Sequence, residues 1–165
     1  MQLHWTGKGG SILPLLKSWT LAVLVLAGTV GLVSPAAAQA SEDGFHQLVL
    51  YISEADRTKM NGVLDVAANV SRHYSGIGEE VEIEIVAFGE GLHMLRADSS
   101  PVKQRLTNFL QSMVNVTFQA CGNTLDTMER NEGARPPLIE GVGMVQTGVA
   151  HLLQRSEEGW TLVRP

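Results

Sequence analysis

The chain holds a single cysteine, Cys121, within F118-Q-A-C-G-N-T124. The thiolate is the nucleophilic form of cysteine, and it forms readily beside hydrogen-bond donors or a helix N-terminus. Gly122 lets backbone or substrate approach closely, and Asn123 and Thr124 are able to donate hydrogen bonds to a sulfur species. A second segment, G89-E-G-L-H-M-L-R96, offers His93 as a candidate acid or base and Arg96 as a candidate holder of an anion. Each residue also has a plainer reading. A lone cysteine often packs as a small buried hydrophobe. His93 equally suits capping or packing in its loop, and Glu54 suits a solvated helix start as well as the reactive edge.

Other chemistries lack their signatures. CxxC and HExxH are absent and the five histidines are dispersed, so neither a metal nor another cofactor is expected. No phosphate-binding GxxxxGK[ST], complete GxGxxG or GxSxG occurs. The sequons at Asn69 and Asn115 read as chance matches.

These residues need elements to position them. H46-Q-L-V-L-Y-I52 has the length and β-branched content of a strand. Met60, Val63, Leu64, Ala67, Ala68 and Val70 recur at helical spacing, predicting a helix from Asp56 to about His73, stopped by S75-G-I-G78. V81-E-I-E-I-V-A-F88 predicts a second strand, with Glu82 and Glu84 on one side that faces solvent or, as the less economical reading, a subunit contact. After a glycine-bearing turn, Pro101 opens a helix carrying Val102, Leu106, Phe109, Leu110 and Met113. V114-N-V-T-F118 predicts the third strand and the run from Cys121 to Arg130 a helix. G141-V-G-M-V145, T147 to S156, and W160-T-L-V163 predict strand, helix and strand. This alternation implies βαβ units, a parallel sheet, and functional groups at the carboxyl ends of its strands. Cys121 falls at such an end, where the positive end of the next helix favours thiolate.

The first forty residues read differently. Lys8 and Lys17 precede the 15-residue apolar run W19 to V33, which ends in S34-P-A-A-A-Q-A40. That order is a secretory signal peptide cleaved after Ala38 or Ala40, and the run is shorter than the ~20 residues of a spanning helix. Residues 1–40 are thus expected to be a leader, with an uncleaved membrane anchor the plainer alternative, and 41–165 a single domain, exported to the periplasm and free of the membrane after cleavage. Without Lys8 and Lys17, 10 basic residues face 17 acidic ones, a net charge of −7. Such a domain is not built for nucleic acid or anionic lipid. An exported chain with one cysteine cannot form an internal disulfide, so Cys121 is inert, paired with another molecule, or kept for its chemistry.

Beyond residue 40 the chain resembles the DsrE/DsrF-like proteins, in their exported single-domain branch. The resemblance rests on the strand ending in S53-E-A-D56, on I85-V-A-F-G-E-G-L-H-M-L-R96, on V116-T-F-Q-A-C-G-N-T124, and on G148-V-A-H-L-L-Q-R-S-E-E-G-W160. It implies an α/β fold, a three-layer sandwich with a five-stranded parallel sheet, and a homo-oligomer, trimer or hexamer. It also implies that Cys121 stands where sulfur-relaying members hold a persulfide, exchanged with donor and acceptor proteins. Those members work in the cytoplasm with dedicated partner subunits, so the reducing supply and the acceptor of an exported chain are unaccounted for. Two functions therefore stay open: a periplasmic sulfur carrier, or a non-catalytic oligomeric module binding a small ligand or protein, with Cys121 structural. A thiol oxidoreductase is a weaker third, since no resolving cysteine is present.

Overall fold

Alternation within the strands, and the direction taken by each connection, decide the architecture. In the computed structural model, which describes residues 44–165, β1 (Phe45–Ile52), β2 (Glu80–Ala87), β3 (Val116–Cys121), β4 (Gly143–Val145) and β5 (Thr161–Val163) pair in parallel in the order β4-β3-β2-β1-β5. The proposed leader lies outside the described residues. α1 (Arg57–Ile77), α2 (Lys103–Ser112), α3 (Gly122–Glu132) and α4 (Gly148–Glu157) connect the strands, with a 3-10 segment, Gly89–Leu95, between β2 and α2. The result is the expected α/β three-layer sandwich around a five-stranded parallel sheet.

Side-chain alternation sorts the strand residues onto two faces. Leu50, Ile85 and Phe118 form one row of the first face. They pack with Met60 and Leu64 of α1, Leu106 and Phe109 of α2, and Leu125 of α3 in one large apolar cluster. The second face carries the rows Val49–Glu84–Thr117 and Tyr51–Val86–Gln119. Among the described residues its apolar cluster contains only Val49, Val86, Leu152 of α4 and Trp160, flanked by Tyr51, Phe88 and Leu162.

The strand order explains this asymmetry. The chain steps one way from β1 to β4, keeping α1, α2 and α3 on the first face. It then crosses back to β5, beyond β1, so α4 lands on the second face, as right-handed crossovers require. The connection after β3 thus goes to one face and that after β4 to the other. The crevice at the carboxyl ends of β3 and β4 is the switch point at which such sheets bind and react.

Three local expectations are revised. Glu84 is not solvent-facing: it is 1% exposed. Alternation distinguishes faces but not whether a distant helix covers one. The third strand begins at Val116, not Val114, which is fully exposed in the preceding turn; it continues through Cys121. Helix α1 extends to Ile77 and stops at Gly78, whose φ of 77° is the left-handed conformation glycine adopts freely.

Candidate functional site

Cys121 is the last residue of β3 and the N-cap of α3, with extended backbone (φ −74°, ψ 117°). Alternation puts it on the second face with Thr117 and Gln119, toward α4. The backbone N–H of Gly148, the first residue of α4, donates to its sulfur at 3.2 Å. In the thiol form the S–H points at the carbonyl of Gln146 across a long 3.9 Å contact. A glycine at 148 eases this approach: a Cβ there would lie 3.3 Å from the Cβ atoms of both Cys121 and Phe88. The cysteine is 5% exposed.

Burial raises the thiol pKa, but the groups around the sulfur outweigh it. The Thr124 hydroxyl, the N–H of Gly148, and the N–H groups of Thr124 and Asn123 act together to bring it below the ordinary thiol value. Thr124 suits this task because its Oγ1 already accepts from the N–H of Gly89 at 3.0 Å, leaving its own proton to donate. The sulfur thus sits between the N-termini of α3 and α4, as the switch-point topology dictates.

The other nominated residues divide. Gly122, Asn123 and Thr124 surround the cysteine and tie the two crossovers together. A Cβ on Gly122 would come within 3.3 Å of Gln146. The Asn123 N–H donates to the Gln146 carbonyl at 2.9 Å. Its side chain donates to Thr147 Oγ1 at 3.0 Å and accepts from Gln146 Nε2 at 2.8 Å. These bonds fix the start of α3 against the loop that leads into α4.

His93 and Arg96 are engaged elsewhere. His93 Nε2 lies 3.7 Å from Glu90 Oε2. The Arg96 guanidinium, 8% exposed, binds Glu132 at 2.6 and 2.8 Å and Asp98 at 2.9 and 2.7 Å. It joins the segment after β2 to the end of α3. Asp98 and Glu132 hold its pKa above the ordinary guanidinium value, and Arg96 in turn pulls both carboxyls below theirs. The pKa of Glu54, just after β1, is held at about 2 by Lys59, with Ser53 and Arg164 adding to the effect and desolvation opposing it. None of the three side chains bonds to Cys121 among the described residues.

The residues that sequence reasoning missed are Gln146, Thr147 and Gly148. Their signal was a glycine directly after a polar cap, at the end of a predicted strand. Along the first turns of α3 a groove of about 360 Å³ opens, lined by Gly89, Glu90, Asn123, Thr124 and Asn131 among others, with Cys121 not part of its lining. Among the described residues no group of three His, Cys, Asp or Glu is arranged to hold a metal, and no helix is long and apolar enough to cross a membrane.

No protein-family model and no curated protein matches the chain. It is similar to the solved structure of MTH1491, a protein of unknown function from Methanobacterium thermoautotrophicum, with 36% sequence identity and a TM-score of 0.57. The match covers 73% of this chain and 99% of that one. At that identity and coverage the two share more than a fold, and the chain belongs to the same family as the Methanobacterium protein.

Proposed function

We propose that this protein carries sulfane sulfur on Cys121 as a persulfide and passes it to an acceptor thiol. The observation that carries this reading is the Gly148 N–H donated to the Cys121 sulfur at a sheet switch point, between two helix N-termini. A donor there stabilises a thiolate before reaction and a persulfide anion after it. With thiosulfate as donor, the thiolate attacks the outer sulfur. A bond forms between that sulfur and Cys121 Sγ, the donor S–S bond breaks, and sulfite leaves with its electron pair. An acceptor thiolate then attacks the same outer sulfur and releases the Cys121 thiolate, so no net oxidant is consumed. The exported, periplasmic setting, a trimeric or hexameric assembly, separate donor and acceptor proteins and membership of the DsrE-like group belong to this proposal. They are supported by the leader pattern and the sequence resemblance. Neither His93 nor Arg96 is needed for the chemistry as written.

The low exposure of Cys121 favours a second reading, a non-catalytic oligomeric binding module in which the cysteine is packing. One experiment separates the two. The folded protein is treated with polysulfide or thiosulfate and analysed by intact-mass and peptide mass spectrometry. The carrier reading expects one added sulfur on Cys121, removed by a small thiol and absent in Cys121→Ser. No added sulfur, together with a thiol that resists alkylation while folded, leaves only the module.

A further inference from the structure

The donor over Cys121 is no more secure than α4 itself, and α4 has little apolar grip. Of its ten residues only Gly148 and Leu152 are buried, whereas α1 buries Met60, Val63, Leu64 and Ala67. Val149 and Leu153 point outward and are exposed. The stripe facing the sheet is Gly148, His151, Leu152 and Arg155, at the i, i+3, i+4, i+7 spacing of one helix face. Two of those four positions converge on a single carboxylate. His151 Nε2 and Arg155 Nε each lie 2.9 Å from Glu84 Oε2.

Glu84 has a 2% exposed side chain in the middle of β2. A carboxylate in such a place requires partners, and α4 supplies them. Arg155 is further fixed by stacking over the Trp160 ring at 4.6 Å and by Glu158 at 2.8 Å. The charged and titratable groups assembled here are thus Glu84 from β2 with His151 and Arg155 from α4 and Glu158 at its C-cap.

The dimensions link this cluster to the cysteine. Glu84 shares a row with Thr117, and Cys121 lies four residues further along β3, about 13 Å away. From Gly148 to Arg155 α4 rises about 10 Å. The helix therefore reaches from the sulfur back to Glu84, pinned at one end by charge and placing its first N–H at the other. We propose that Glu84, gripping His151 and Arg155, is a positioning residue that holds the α4 N-terminus over Cys121 and so sets the nucleophilicity of its thiol. The inference rests on the reading of Cys121 as a working thiol but not on the identity of the sulfur donor.

The test is the pH profile of Cys121 alkylation by iodoacetamide in the folded full chain, with circular dichroism to confirm folding. In Glu84→Gln the midpoint should rise by about one pH unit, slowing alkylation about tenfold at neutral pH. The sign is diagnostic, because removing a nearby negative charge would by itself lower the midpoint. Arg155→Lys, which keeps the charge and loses the planar stack, should give a smaller rise, and the outward-facing Leu153→Ala none. Should Glu84→Gln fail to fold, Arg155→Lys decides. A folded Glu84→Gln or Arg155→Lys protein whose profile superposes on the wild type, or moves down, overturns the proposal. Sulfur loading with an unmoved profile removes this inference and leaves the carrier reading. A shifted profile without sulfur loading does the reverse.

Discussion

The two faces of the sheet are built by different means. The first is covered by three helices and a continuous apolar cluster in which Phe118, Leu50, Leu64 and Leu106 are almost wholly inaccessible to solvent. The second is covered by one helix that buries a single large apolar side chain and is fastened to Glu84 by the Arg155 ion pair and the His151 hydrogen bond. Apolar burial is non-directional and scales with area, so it makes the first face stable without fixing one side chain's distance to another. Hydrogen-bonded charges are directional and contribute less net stability, but they define a position. The Cys121 sulfur is on the second face.

The sharpest way to break the comparison is to remove one large side chain from each face. Phe118→Ala should destabilise the domain by about 3–5 kcal/mol, because the surrounding cluster cannot collapse onto the cavity. Leu152→Ala, under a helix that can shift toward the sheet, should cost about 2 kcal/mol. Urea unfolding measures both, and equal losses would mean the two faces are equally packed.

Arg155→Ala comes next. It leaves Glu84 buried with His151 alone, at an expected cost of about 2 kcal/mol, moderated because Arg155 is 27% exposed. The loss should be local. Amide hydrogen exchange should accelerate across 148–157 while α1 and the strands keep their protection. Uniform acceleration would show that α4 unfolds only with the rest of the domain.

How far these features could be read from sequence differs between the faces. The first was legible: 3.6-residue spacing in α1 and the run of β1 lead directly to Met60, Leu64 and Leu50 in one cluster. The position of Cys121 at a strand-to-helix junction was legible too. Its donor was not, since Gly148 lies 27 residues further along and reaches the sulfur only because the chain crosses back over the sheet. Glu84 was misread for the same reason, its partners being 67 and 71 residues away. Arg96 looked like an anion holder because guanidinium chemistry permits it. The carboxylates that occupy it, Asp98 and Glu132, were visible in the sequence but not as its neighbours. Periodicity reports which face a residue takes, and topology decides what meets it there.

Gly148→Ala probes the second face at its closest point. Its methyl would meet the Cβ atoms of Cys121 and Phe88 at 3.3 Å, closer than comfortable packing. The expected cost is about 1 kcal/mol, since α4 can give by a few tenths of an ångström. Any retreat lengthens the N–H to sulfur bond, so alkylation of Cys121 should slow even where stability barely changes. An unaltered alkylation rate would mean that this donor does not activate the thiol.

The smallest effect tests whether an arginine–carboxylate cluster means the same thing on both sides. Arg96 binds Asp98 and Glu132 beside Leu92, Met94 and Leu95, which are fully buried in the first cluster, so packing already holds that segment. Bonding to Arg96 depresses both carboxyl pKa values in the folded protein, more than their partial burial raises them. A depressed carboxyl contributes stability above its unfolded pKa, and that contribution disappears as pH falls through the folded one. The Tm difference between wild type and Arg96→Gln should therefore be present at neutral pH, shrink below about pH 4, and vanish in stronger acid. Because both carboxylates are substantially exposed and screened, the neutral-pH difference should be modest, and smaller than that for Arg155→Ala. The reverse ranking would mean that charge, and not apolar burial, holds the first face as well. The contrast between the two sides would then lie in exposure to chemistry alone.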